Sequence, residues 1–226
     1  MPVHRPGGLE YHTLDLANAL VARGHAVTVV TSRHPSGLRN ETLPSGVEIW
    51  YLEQGRAGDY SLAFFRGVER EVSRLDARER FDVIHVQEFA GLAMARRPGR
   101  MVATMHGTMF SETPLNRRYF RRLSAAEKWR MIWRFKPRIV LHPLFVRMLR
   151  RMDALLVDSD YSRRELLLID PRLRPRVSVV PLGVDLSRFP QAALRAGEAE
   201  PGTDTPLRIV LLGRVQRMKG LEVALH

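Results

Sequence analysis

Directly after the apolar run 207–212 the chain places Gly213, Arg214, Lys219 and Gly220. A strand, a glycine-bearing turn and a helix start together offer unpaired backbone N–H groups and the positive end of a helix dipole to phosphate. Arg214 and Lys219 add two cations there, so the chemistry expected is the binding of a phosphorylated ligand. A surface loop that happens to carry basic residues has the same letters. At the other end of the chain, Gly7 and Gly8 precede a helical pattern. With no Cβ on either residue, a ligand can come close to the backbone. His106 follows the apolar run 101–105 and so falls at the C-terminal end of a predicted strand, where open α/β sheets place ligands. His85, near another strand end, reads as a packing residue or one engaged in a local hydrogen bond.

Other chemistries find less support. The sequence has no cysteine, which excludes disulfides and thiolate catalysis and removes the commonest ligands of a structural zinc. A dinucleotide fingerprint needs Gly-x-Gly-x-x-Gly after a strand, whereas only two adjacent glycines occur and no strand precedes them, which disfavours a nicotinamide dehydrogenase. The formal charge of +12 and pI near 11.1 are those of a polyanion-binding protein. Of the 36 basic residues, however, only Lys128, Lys136 and Lys219 are lysines, an arginine bias that base composition also produces. No recognition helix or aromatic-bearing sheet face is evident, so no specific nucleic-acid partner is expected.

Strands and helices must position these groups. Leu14, Leu16, Ala17, Leu20 and Val21 recur at helical spacing within residues 9–23, and Gly24 supplies a left-handed stop. Residues 27–31 form a β-branched run of the kind buried on both faces of a parallel sheet, and 47–52 repeats the signal. After a helical stretch at 60–80 come short apolar runs at 83–86, 101–105, 154–157 and 177–180. Strands separated by helices imply a doubly wound parallel sheet. Residues 186–206 lose periodicity and gather Pro190, Gly197, Pro201, Gly202 and Pro206, the composition of an interdomain linker. The predicted organisation is therefore a domain over 1–185, a linker over 186–206 and the start of a second domain over 207–226. No run of about 18 apolar residues is present and residues 1–6 lack the apolar core of a signal peptide, so a cytoplasmic location is expected. Residues 116–151 mix arginines with Trp129, Trp133 and Phe135 and predict one or two basic amphipathic helices. Such helices suit peripheral contact with an anionic membrane at its inner face, and equally an ordinary sheet-covering role.

In order and spacing these segments resemble glycosyltransferases of the GT-B fold, retaining family 4. The resemblance rests on Gly7-Gly8-Leu9-Glu10, on Leu16-Ala17 through Arg23-Gly24-His25, and on the strand 27–31. It continues through Phe81-Asp82-Val83-Ile84-His85-Val86-Gln87, Thr104-Met105-His106-Gly107, and Asp158 through Ser162. It ends with residues 179–189, where Leu182 stands in place of the usual asparagine, and with Gly213 to Gly220. The resemblance implies two Rossmann-like domains closing over a nucleotide-sugar donor, with a sugar or lipid-linked acceptor on the N-terminal side and no required metal or cofactor. It implies that Gly7, Gly8, Arg214 and Lys219 meet the donor phosphates and that His106 is catalytic, facing the donor sugar. Glu88 is expected to be exposed, in reach of acceptor or simply on the surface. The family also places a strand before the glycine pair and an acidic pair on a later helix, so a fragment or a mis-called start is expected, with two unpaired strand edges in the middle of the sheet. An epimerase of the same architecture and a non-enzymatic basic binding module are the alternative readings.

Overall fold

The computed structural model describes residues 1–4, 7–53, 55, 61–94, 99–107 and 124–183, apart from the side chains of 127, 128 and 130–140. These residues all belong to one compact unit, Met1–Val184. The predicted linker and second-domain start lie outside them, as do Arg214 and Lys219.

Seven strands are described: β1 (Thr28–Thr31), β2 (Asn40–Thr42), β3 (Glu48–Tyr51), β4 (Val83–Gln87), β5 (Arg100–Met105), β6 (Ala154–Val157) and β7 (Val177–Val179). The helices are α1 (Gly8–Val21), α2 (Leu62–Arg78), α3 (Ala125–Arg151) and α4 (Asp160–Ile169), followed by a 3₁₀ turn, Pro171–Arg176. The strands form two sheets, ordered β1-β3-β2 and β4-β5-β6-β7. The four-stranded sheet is parallel throughout. In the smaller sheet β1 and β3 are parallel, and β2 runs antiparallel on the outer edge. This is the α/β architecture predicted, with a parallel four-stranded sheet.

Two details depart from the sequence expectation. Strand β2, Asn-Glu-Thr, is too polar to signal a strand; it is held by its ladder to β3 and by the Tyr51 hydroxyl, which donates to the Glu41 carboxylate. Strand β1 was expected to be buried on both faces, yet all four of its residues are half-buried. The reason is its place at the end of its sheet: among the described residues β1 has a ladder partner on one side only, and so does β4 at the end of the other sheet. Val30 of β1 nonetheless packs on the larger core, which contains Ile84 and Val86 of β4.

That larger core joins the inward face of the four-stranded sheet to α2, α3 and α4. On α2, Phe65, Val68, Val72 and Leu75 recur at three- and four-residue spacing and are all buried, while Ser61 caps the helix by accepting the Phe64 N–H. On the sheet, Ile84, Val86, Met101, Ala103 and Met105 face Phe145, Met148 and Leu149 of α3. Each large apolar side chain so buried contributes about 1.5–3 kcal/mol relative to exposure. A smaller cluster of Ala17, Val47, Ile49 and Tyr51 seats α1 on the three-stranded sheet.

Candidate functional site

Alternation along β4 and β5 decides which side chains meet. Since Ile84, Val86, Ala103 and Met105 point into the core, His85, Gln87 and Thr104 share the other face, which His106 joins just past the end of β5. The register pairs Gln87 with Thr104. Two diagonal contacts follow: His85 Nε2 lies 2.7 Å from Thr104 Oγ1, and His106 Nε2 lies 3.2 Å from Gln87 Oε1. His85 thus makes the local hydrogen bond expected of it.

Glu88 differs from expectation. It is half-buried and has left-handed backbone geometry, with φ +54°. Its own N–H donates to the Thr104 carbonyl at 3.0 Å, and its Oε1 accepts the His106 N–H at 2.8 Å. A carboxylate read as exposed instead fixes the backbone of the candidate catalytic histidine.

Helix α1 brings the glycine pair and a second imidazole. Gly7 is the N-cap, with extended backbone, and a Cβ there would collide with the Glu10 carboxylate. Gly8 is exposed, and among the described residues a Cβ there would meet nothing within 4 Å. The open approach to the start of α1 is therefore over Gly8. One turn further on, the His12 ring meets the His106 ring edge-on, with centroids 4.8 Å apart and an interplanar angle of 77°. Nothing in the apolar periodicity of residues 9–23 singles out His12; a polar residue on the inward side of a helix start is the only signal it leaves.

The C-terminal end of β6 completes the rim. Asp158 Oδ1 accepts from the hydroxyls of Ser159 and Ser162 at 2.9 and 2.7 Å, and Ser159 caps α4 by accepting the Ser162 N–H. Burial lowers the pKa of His106 below the ordinary imidazole value, the neighbouring His12 lowers it further, and Asp158 opposes them. His85 is lowered in the same way, by burial first and then by His12 and His106. At neutral pH both rings are uncharged. Among the described residues no group of three or more His, Asp or Glu side chains is placed to hold a metal ion, and no helix is long and apolar enough to cross a membrane.

The structure thus brings together Gly8, His12, Gln87, Glu88, His106 and Asp158 along the C-terminal edge of the strands. A neutral, backbone-anchored imidazole beside an open helix start can orient a polyhydroxylated ligand.

Comparison with known proteins places this edge in context. The model of Glycosyltransferase Family 4 matches residues 6–188. The phosphatidyl-myo-inositol mannosyltransferase of Mycobacterium tuberculosis (strain CDC 1551 / Oshkosh) is 27% identical over 233 residues, covering 97% of this chain and 52% of that protein. The Mycolicibacterium smegmatis protein of the same name is 27% identical over 227 residues, covering 97% of this chain and 50% of its own length. The chain therefore spans about half the length of the curated relatives it matches. Among solved structures, the sucrose-phosphate synthase of Thermosynechococcus elongatus aligns with a TM-score of 0.56 at 16% identity, over 81% of this chain and 44% of that one. This last likeness is one of fold.

Proposed function

This chain belongs to glycosyltransferase family 4, and from that premise we propose that it forms the acceptor-side part of a retaining enzyme that moves a sugar from a nucleotide-sugar donor to a hydroxyl of a lipid-linked acceptor. The observation that carries the reading is the position of His106 at the C-terminal end of β5, ring to ring with His12 and beside the open start of α1. In an open α/β sheet that edge is where ligands bind.

In the reaction the bond from the anomeric carbon to the diphosphate oxygen breaks, and a bond from that carbon to the acceptor oxygen forms on the same face of the sugar. The nucleoside diphosphate departs with the bonding electrons, and its leaving oxygen takes up the proton that the acceptor hydroxyl gives up. Charge grows on the leaving diphosphate, so its stabilisation is the main electrostatic demand. We assign that role to Arg214 and Lys219, assign contact with the donor diphosphate to Gly7 and Gly8 as well, and place His106 against the donor sugar. The nucleotide itself is held by the second domain, of which residues 207–226 are the start. A lipid-linked polyol acceptor is favoured by the names of the mannosyltransferase relatives. It is favoured too by the basic, aromatic stretch 116–151, which suits peripheral contact with the inner face of an anionic membrane.

The test is to supply the enzyme, comprising this chain joined to a completed second domain, with nucleotide sugars and vesicles containing phosphatidylinositol. The expected result is nucleoside diphosphate release that depends on the acceptor, with a glycolipid product of unchanged anomeric configuration. Acceptor-independent hydrolysis, or an inverted product, contradicts the proposal.

A further inference from the structure

On the polar face of β4 and β5 two hydrogen bonds repeat with the same offset, His85 to Thr104 and Gln87 to His106, each joining residues 19 apart in sequence. The repetition follows from parallel pairing in which Gln87 stands opposite Thr104: each β4 side chain reaches diagonally to the β5 position two residues beyond its partner. The two bonds differ in what they can fix. Thr104 offers a hydroxyl that donates or accepts, so its bond suits either tautomer of His85. Gln87 presents its carbonyl oxygen, Oε1, which only accepts. For the 3.2 Å contact to be a hydrogen bond, His106 must carry its proton on Nε2, which leaves the lone pair on Nδ1.

We propose that Gln87 is a positioning residue for His106: by accepting the Nε2–H it holds the ring as the neutral Nε2–H tautomer, so that His106 meets a substrate hydroxyl as a hydrogen-bond acceptor through Nδ1. Three further observations agree with this role. The ring cannot drift with its backbone, because the His106 N–H is tied to Glu88 Oε1 at 2.8 Å. It cannot swing freely, because His12 closes on it edge-on at 4.8 Å. Among the described residues none hydrogen-bonds Nδ1, which keeps that nitrogen available. Among the described residues, the titratable groups around the ring are His12 from α1, His85 from β4, Glu88 after β4 and Asp158 after β6. Burial and His12 disfavour the imidazolium, and Asp158 favours it less strongly. A neutral His106 with its proton on the far nitrogen accepts a hydroxyl proton in a hydrogen bond and gives none, so it orients a sugar or acceptor hydroxyl without acting as a general acid.

The substrate half of this statement rests on the glycosyltransferase reading, whereas the tautomer half does not, and the experiment separates them. In the ¹⁵N-labelled 226-residue chain, long-range proton–nitrogen correlation spectra at neutral pH should show a protonated Nε2 and an unprotonated Nδ1 for His106. Gln87→Leu should destroy this pattern, giving mixed tautomers. Gln87→Glu, which keeps an acceptor oxygen, should restore the Nε2–H form and raise the pKa of His106. In the completed enzyme, Gln87→Leu should lower kcat about ten- to a hundredfold with little change in donor KM. Gln87→Glu should recover turnover while moving the acid limb of the pH profile to higher pH. A wild-type ring protonated on Nδ1, or spectra unchanged by Gln87→Leu, overturns the proposal. Since the spectra need no sugar donor, failure of sugar transfer leaves the tautomer assignment standing, and failure of the tautomer assignment leaves the glycosyltransferase reading standing.

Discussion

At residue scale, Gly8 separates folding from function more cleanly than any neighbour. Its position has open space around it, whereas a Cβ at Gly7 collides with Glu10. Gly8→Val should therefore leave the fold intact, since valine in a helix is more favourable than glycine by roughly 0.3 kcal/mol, read as little or no change in Tm. If the diphosphate approaches α1 over Gly8, the same change should lower sugar transfer at least about tenfold. Wild-type transfer by Gly8→Val would remove the glycine pair from the donor site. The places of Gly7 and Gly8 at the start of α1 and of His106 just past β5 were legible from sequence, because glycines at the opening of a helical pattern and a histidine after an apolar run are local signals. His12 and Gln87 were not assigned roles, and Glu88 was read as an exposed residue in reach of acceptor or simply on the surface. Their parts depend on register and on which face each side chain takes, and only the pairing of Gln87 with Thr104 brings Gln87 and Glu88 to His106.

At the scale of elements, α3, α4 and β7 are joined at one buried carboxylate. Asp170 is 3% exposed, accepts from Arg150 Nε at 2.7 Å and Arg172 Nε at 3.3 Å, and caps the 3₁₀ turn through the Arg172 N–H. Arg176, from the same turn, donates to the carbonyls of Arg150 and Met152 at the C-terminal end of α3. The Arg150 guanidinium, chiefly, holds the Asp170 carboxyl below the usual carboxylate range, aided by the Arg172 N–H and guanidinium. Because the folded pKa is the lower one, this stabilisation is present above the unfolded value of about 3.9 and is lost as pH falls through the folded pKa. Asp170→Asn should thus lower Tm at neutral pH, with the gap from wild type closing below about pH 4. A gap that persists at acid pH would assign the loss to packing instead. Six strands and the helices over 9–23, 60–80 and within 116–151 were readable as apolar runs, helical periodicity or amphipathic composition. Strand β2 was not, since Asn-Glu-Thr is ordered by its partner β3 and not by its own composition.

At the scale of the molecule, a parallel α/β body with a basic stretch at 116–151 and a net charge of +12 suits an enzyme that works against an anionic surface. Trp129, on α3, is 62% exposed. The chain should sediment with anionic vesicles more than with neutral ones at low salt, and Trp129→Ala should weaken that binding; equal sedimentation with both vesicle types would argue against membrane contact. The fold class was legible because alternating strands and helices leave few topologies, whereas the antiparallel place of β2 emerges only from its ladder to β3. The central claim is that His106 stands at the centre of sugar transfer. The measurement that tests it is nucleoside diphosphate release, paired with calorimetric nucleoside diphosphate affinity, for the completed enzyme and its His106→Ala variant. Turnover in His106→Ala should fall by about a hundredfold or more with nucleotide affinity nearly unchanged; wild-type turnover in that variant would contradict a place for His106 in sugar transfer.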